Sequence, residues 1–204
     1  MHILKLTSQL LSSNCYIVIS DDKAAVIDPS IEPKIIIEKI NVYNCIIDKI
    51  IYTHAHMDHI IYGDDLKALT GAQIYAHPDD WLLYKDEYKN GAILFGMHKT
   101  FNENDINLID KMVLKHGNVD LNIIHTPGHT MGCICIKAEN FVFTGDTIFY
   151  ESIGRTDLST GDADLLFDSI KNKLFTLPDE TIILPGHGIK TTITHEKENN
   201  PYVY

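Results

Sequence analysis

The sequence predicts a mixed α/β (α+β) fold in which sheets are covered by helices. Three observations lead there. Short apolar strand-like runs dominate, each half of the chain carries at least one amphipathic helix, and no repeat, low-complexity tract or Pro/Gly/Ser linker divides the 204 residues. That length is short for two domains and ample for one, so a single domain over 1–204 is expected.

In chain order, Ile3–Leu6, Cys15–Ile19 and Ala24–Ile27 read as strands, because they are apolar and separated by the turns Ser12-Ser13-Asn14 and Ser20-Asp21-Asp22. Glu32–Asn41 reads as a helix whose apolar face is Ile31, Ile35, Ile36 and Ile40. Ile46–Tyr52 is a strand running straight into His54, and a helix from about His59 to Leu69 stops at Gly71. Residues 81–104, with Gly91, Gly96 and several charges, form a loop-rich insertion. Its aromatics Trp81, Tyr84, Tyr88 and Phe95 suggest a cover over a site. Strands follow at Met112–His116, Leu121–His125, Cys133–Lys137 and Phe141–Thr144, then a helix at Asp164–Leu174 and a last strand at Thr181–Leu184.

Composition is ordinary for a globular chain, with 45% hydrophobic and 22% charged residues. A net charge of −11 excludes nucleic-acid binding driven by the overall field, since neutralising phosphates needs a basic surface. Met1–Leu6 is too short and mixed for a signal peptide, and no run approaches the roughly 20 apolar residues of a spanning helix. Cys15, Cys45, Cys133 and Cys135 show no disulfide pattern, which fits four reduced thiols in a cytoplasmic protein with no membrane partner. Two details stand out: Arg155 is the only arginine, and there are 11 histidines.

The histidines gather at strand ends. His54-Ala55-His56-Met57-Asp58-His59 follows an apolar strand, and in extended backbone residues i and i+2 point the same way, so His54 and His56 can converge on one cation. Asp58 and His59 come as the chain turns into a helix and face a neighbouring position. Imidazole and carboxylate groups at this density are the donors of Zn²⁺, Fe or Mn²⁺. Three more strands end the same way, in Thr126-Pro127-Gly128-His129-Thr130, Gly145-Asp146-Thr147 and Pro185-Gly186-His187-Gly188. Each puts one donor on a tight turn where small residues let the backbone approach a ligand. His2, His77, His98, His116, His125 and His195 lack such spacing and read as surface or hydrogen-bonded residues.

With these four segments the chain resembles the metallo-β-lactamase superfamily over nearly its whole length, and within it the glyoxalase II-like hydrolases. Gly154-Arg155-Thr156-Asp157, Leu174-Phe175-Thr176-Leu177-Pro178 and the tail with Glu196 and Asn200-Pro201 are also similar to that subfamily. The resemblance implies an αββα sandwich with a dinuclear site at one edge. His54, His56 and His129 would hold one divalent ion and Asp58, His59 and His187 a second, with Asp146 bridging. Zinc is the first candidate, iron and manganese the alternatives.

The chemistry implied is hydrolysis of a small thioester, S-lactoylglutathione or a related thiol ester. Two divalent ions share a water and lower its pKa towards about 7, and Asp58 orients the resulting hydroxide. A thiolate leaves without a dedicated acid, because thiol pKa values lie near about 8.5. Arg155 aligns with the basic residue that takes the glutathione carboxylate in such enzymes, and a fork of donors suits that task; pairing with Asp157 or Asp162 is its structural alternative. The larger members carry a C-terminal helical glutathione-binding domain, absent here, so the match is to the short forms, as monomer or small homo-oligomer. The alternative within the superfamily is a persulfide dioxygenase using one iron; its last motif usually reads Pro-Ala-His-Asp, whereas Pro185-Gly186-His187-Gly188 favours the hydrolase. A nuclease is disfavoured by charge, β-lactam hydrolysis by Asp146 with the two-metal set, and a purely structural metal site by the room left for solvent.

Overall fold

The computed structural model describes residues 1–9 and 11–203. Strands β1 (His2–Thr7), β2 (Asn14–Ser20) and β3 (Lys23–Ile27) form an antiparallel meander. Helix α1 (Pro33–Asn41) starts with proline at its first turn, where the missing N–H costs nothing, and carries the chain over to β4 (Ile46–Ile51), parallel to β3. Beyond β4 come α2 (Met57–Ile60) and α3 (Gly63–Thr70), then β5 (Gln73–Ala76), α4 (Trp81–Lys85) and β6 (Ile106–Asn107). These strands make one six-stranded sheet in the order β1-β2-β3-β4-β5-β6.

The second half repeats the scheme. Antiparallel β7 (Val113–His116), β8 (Val119–His125), β9 (Ile134–Ala138) and β10 (Phe141–Gly145) are followed by the small hairpin β11 (Ile148–Phe149) and β12 (Ser152–Ile153). Helix α5 (Ala163–Asn172) crosses to β13 (Ile182–Pro185), parallel to β10, and β14 (Thr191–Thr192) with α6 (Ile193–Asn199) finishes the chain. The sheet order is β14-β13-β10-β9-β8-β7.

Side-chain alternation stacks the layers. On β2, Tyr16 and Val18 face inward to meet Phe143, Ile123, Ile134 and Leu184 of the other sheet, while Ile17 and Ile19 face outward to Ile36, Ile40 and Leu66 of α1 and α3. On the second sheet Val142, Cys135 and Ile183 face outward to Leu166 and Ile170 of α5. Three apolar seams therefore separate four layers, helix–sheet–sheet–helix, as the resemblance implied. Among the described residues no helix is long and apolar enough to cross a membrane.

The structure corrects the sequence expectations in four places. The helix expected over 59–69 is two helices, because Tyr62 leaves the helical region (ψ 12) before Gly63, where a Cβ would strike the Tyr52 ring. Its stop at Gly71 holds: the residue is left-handed (φ 73) and its N–H caps Lys67 O. Strands β5, β6 and β14 and helix α6 were not expected; the strands are two to four residues long and exist through their pairing partners. The loop-rich insertion contains α4 and a 3₁₀ turn, Ala92–Phe95, set between the left-handed Gly91 and Gly96. Of its aromatics, Tyr84 is core, Trp81 and Tyr88 are exposed, and Phe95 alone reaches the cleft described below.

Candidate metal centre

Strand ends deliver the chemistry, as expected. After β4 the chain continues extended through Tyr52 and Thr53 into His54 and His56, then winds into α2 with Asp58 and His59. The ends of β8, β10 and β13 bring His129, Asp146 and His187 to the same edge. All seven side chains singled out in the sequence converge there.

Two groups of donors result. His54, His56 and His129 each offer a nitrogen within 4.8 Å of the others, and Asp58 (a carboxylate oxygen), His59 and His187 (ring nitrogens) are gathered equally closely. In the first group His56 Nδ1 and His129 Nε2 are 2.8 Å apart. In the second, His59 Nε2 lies 3.3 Å from His187 Nε2, and Asp58 Oδ2 lies 3.2 Å from His187 Nε2 and 3.6 Å from His59 Nε2. Asp146 stands between them, Oδ1 3.3 Å from His59 Nε2, and Oδ2 3.6 Å from both His129 Nε2 and His187 Nε2. Donors about 2.0–2.1 Å from a tetrahedral Zn²⁺ sit roughly 3.3 Å from one another. The observed spacings bracket that value.

The outer ring nitrogens are already engaged. His129 Nδ1 donates to Arg155 O (2.7 Å), His59 Nδ1 to Asp28 Oδ2 (3.0 Å) and His187 Nδ1 to Ser12 O (3.1 Å). Thr53 Oγ1 donates to Asp28 Oδ2 and accepts from His54 Nδ1 at 3.1 Å. Each bond fixes the ring so that Nε2 faces the site, which is how metal-binding imidazoles are held. His54 Nε2 and Asp146 Oδ1 are buried with no hydrogen-bond partner, as expected of groups that face a cation. The residues present therefore fit divalent ions. A Cβ at Gly186 would collide with Asp146 Oδ1 and lie 2.7 Å from His59 Cε1, so glycine is required there.

The two groups differ electrically. Burial first, and then the neighbouring imidazoles, hold His54 well below the usual imidazole range and bring His56 down to about 3. Burial also lowers His129, against the pull of Asp146. Three neutral imidazoles thus present lone pairs at neutral pH. In the second group burial acts on His59 in the same sense, but Asp146 and Asp58 outweigh it and raise His59 well above normal. For His187, too, burial is outweighed, by the bond to Asp58 and the charge of Asp146. Reciprocally, His59 with His187 holds Asp58 low, and His59 with His129 and His187 holds Asp146 low, despite the burial of both. The two carboxylates thus favour positive charge in this half, the sign that a cation would bring.

The centre opens into a cleft of about 170 Å³ whose wall adds Asn90, Gly91, Leu94, Phe95, Arg155 and Leu158. The insertion thus contributes to the cleft, through residues 90–95. A groove of about 740 Å³ between Ile3, Phe141 and Leu184 is larger but holds none of these donors. Arg155 reaches the cleft while its guanidinium makes a two-pronged bond to Asp157, Nε to Oδ1 and Nη2 to Oδ2, each 2.7 Å. That bond draws Asp157 down to about 2. Asp162, the other partner considered, instead caps α5 through Leu165 N.

Two carboxylates escaped notice in the sequence. Asp28, left-handed at φ 52 just after β3, accepts from Thr53 N, Thr53 Oγ1 and His59 Nδ1. Its signal was the shared placement, an acid directly after an apolar strand. Asp80, 1% exposed and pushed up to about 6 by burial, had no signal beyond a Pro-Asp-Asp turn. The remaining histidines are hydrogen-bonded as expected, His116 to Val18 O and His125 to Met131 O, for example. His77, Asp79 and His125 do bring donors within 4.8 Å, which sequence spacing did not suggest. However, the His77 and His125 rings stack at 3.9 Å and 9°, and parallel planes keep their lone pairs from converging.

The sequence and the fold both have relatives among known proteins. The family model described as Metallo-beta-lactamase superfamily matches residues 9–187. Hydroxyacylglutathione hydrolase GloC of Haemophilus influenzae is 36% identical over 199 residues, covering 93% of this chain and 92% of its own. The crystal structure of BLEG-1 B3 metallo-beta-lactamase superposes with a TM-score of 0.93 at 32% identity, covering 99% of both chains. TTHA1623, crystallised in a di-iron-bound form, gives 0.87 at 31%, covering 98% of this chain and 100% of its own.

Proposed function

The chain belongs to the metallo-beta-lactamase superfamily as a metal-dependent hydrolase, and from that premise we propose that its substrates are small thioesters of the glyoxalase II kind, cleaved with the help of two divalent ions. The observation that carries this reading is the pairing of two donor groups around one carboxylate, Asp146. His54, His56 and His129 would hold one ion and Asp58, His59 and His187 the other, with Asp146 facing both. Zinc suits these donors first, and iron or manganese also accepts a mixed imidazole and carboxylate set. When bound, such a pair supplies Lewis acidity and a water acidic enough to ionise near neutral pH.

The protein's own groups do the rest. Asp58, ionised because His59 and His187 flank it, accepts a hydrogen bond from the attacking water and aims it. Leu94, Phe95 and Leu158 give the acyl and thiol portions an apolar wall. Arg155 takes a substrate carboxylate by exchanging it for Asp157 on the same fork. Apart from the groups facing the metal positions, the cleft wall carries no acid among the described residues. A thiolate leaves without one, whereas an amide nitrogen needs a proton.

A second substrate class is worth assaying because of the likeness to BLEG-1, a metallo-beta-lactamase by description. The test pairs metal analysis of the purified protein with a panel of S-lactoylglutathione, other acyl thiols, a penicillin and a persulfide. Thioester turnover by protein holding two metal equivalents supports the proposal. Faster β-lactam turnover overturns it, as does a single iron with oxygen uptake.

A further inference from the structure

Asp80 is a buried carboxylate that no salt bridge reaches among the described residues. Removing such a charge from water without a counter-ion is costly, so its hydrogen bonds must offset the cost. There are three, and they go to two segments only. Oδ2 accepts from Ala55 N (2.8 Å) and Thr130 Oγ1 (2.9 Å), and Oδ1 accepts from Gly132 N (2.7 Å). Ala55 lies between His54 and His56; Thr130 follows His129. A Cβ at Gly132 would come to 2.5 Å of Asp80 Cγ, so the close approach depends on glycine.

We propose that Asp80 is a positioning residue for one half of the metal centre: it sets the separation of the two loops that carry His54, His56 and His129. Among the described residues the same loops share one backbone tie, Ile134 N to Thr53 O at 2.9 Å, and the contact of His56 Nδ1 with His129 Nε2. Asp80 comes from a third segment and bonds to both loops, beside His54 and His56 on one and His129 on the other. Asp58, His59 and His187 are held by other means, through Ser13 Oγ on Asp58 O, Asp28 on His59 and Ser12 O on His187. Loss of the Asp80 carboxylate therefore weakens one ion and spares the other. An asparagine cannot replace it, since its amide would turn an N–H₂ towards a donor, either Gly132 N or the Ala55 and Thr130 pair.

The inference rests on the dinuclear reading, and the test separates the two. Wild type, Asp80→Asn and Thr130→Val are loaded with Co²⁺ and dialysed against a weak chelator. Cobalt is then counted, and its paramagnetically shifted imidazole N–H signals are recorded. Wild type should retain two equivalents. Asp80→Asn should bind one of them about 10- to 100-fold more weakly, the usual effect of losing a group that orients ligands. The shifted signal of His129 should vanish while those of His59 and His187 persist. Thr130→Val, which removes one bond of the three and fills the same space, should show a smaller loss at the same ion even if Asp80→Asn fails to fold. Unchanged affinity in both variants overturns the proposal, as does equal weakening of both ions in a folded variant. Wild type that holds fewer than two ions overturns the dinuclear reading itself.

Discussion

His56 Nδ1 and His129 Nε2 face each other at 2.8 Å across a sequence separation of 73 residues. His129 Nδ1 donates to Arg155 O, so its Nε2 turns a lone pair towards His56, and burial keeps both rings uncharged. A neutral His56 N–H fills this contact, and a cation would take both lone pairs in its place. Together with the orphaned His54 Nε2 this predicts a strong dependence of stability on metal. At a metal concentration 100 times its Kd, each ion adds about 2.7 kcal/mol. Chelation should lower Tm by roughly 5–10 °C per ion for a chain of this size, read by calorimetry with and without added Zn²⁺.

Asp58→Ala tests the water-orienting role. Turnover of a thioester should fall about 10²–10⁴-fold, with the far-ultraviolet circular dichroism spectrum unchanged, because Ser13 holds the Asp58 backbone while the carboxylate faces His59 and His187 of the centre. Near wild-type turnover would falsify the mechanism. Asp58→Asn keeps the shape without the charge and should be nearly as impaired.

Arg155 and Asp157 should respond in opposite directions. Arg155→Ala removes the fork and should raise KM about tenfold or more with kcat little changed, the mark of lost ground-state binding. Asp157→Ala frees the fork from its competitor and should lower KM about two- to fivefold, since an exposed ion pair is weak. Steady-state kinetics on substrates with and without a carboxylate decides it; KM shifts that ignore the carboxylate make the pair structural.

His77 sets part of the acid response. Burial first and His125 second push its imidazole down to about 4, with Asp79 opposing. A histidine depressed when folded binds fewer protons in the native state than in the unfolded chain, where the value is about 6.5. Stability is thus full above about pH 6.5 and falls as pH drops towards 4. The shift sets a ceiling of about 3 kcal/mol, and about 1–2 remains after solvent screening. His77→Phe keeps the stack and cannot titrate, so its Tm should fall less than wild type between pH 6.5 and 4.5. Parallel Tm curves would show that His77 carries none of the acid sensitivity.

The donors were legible because a strand is a local pattern and each ends in an unusual side chain: His54 after Ile46–Ile51, His187 after Ile182–Pro185. Their grouping also survived, since i and i+2 alternation brings His54 and His56 to one face. What escaped depends on distant partners. Asp80 acquires its meaning from Ala55, Thr130 and Gly132, on segments separated from it by 25 to 52 residues. Strands β5 and β6 are too short for periodicity and exist because β4 offers an edge to β5 and β5 one to β6. Tyr84 and Phe95 look alike in sequence, yet one fills the core and the other lines the cleft.

The seven side chains are divided between the sheets, and the sheets are consecutive in the chain. A ribosome therefore releases His54, His56, Asp58 and His59, with the whole first sheet, before His129, Asp146 or His187 exists. The centre closes when β13 docks parallel to β10 and swings His187 to within 3.3 Å of His59, 128 positions upstream. A chain truncated before β13 would keep six of the seven side chains, Asp146 included, and lack only His187, so the first donor group would be whole and the second incomplete.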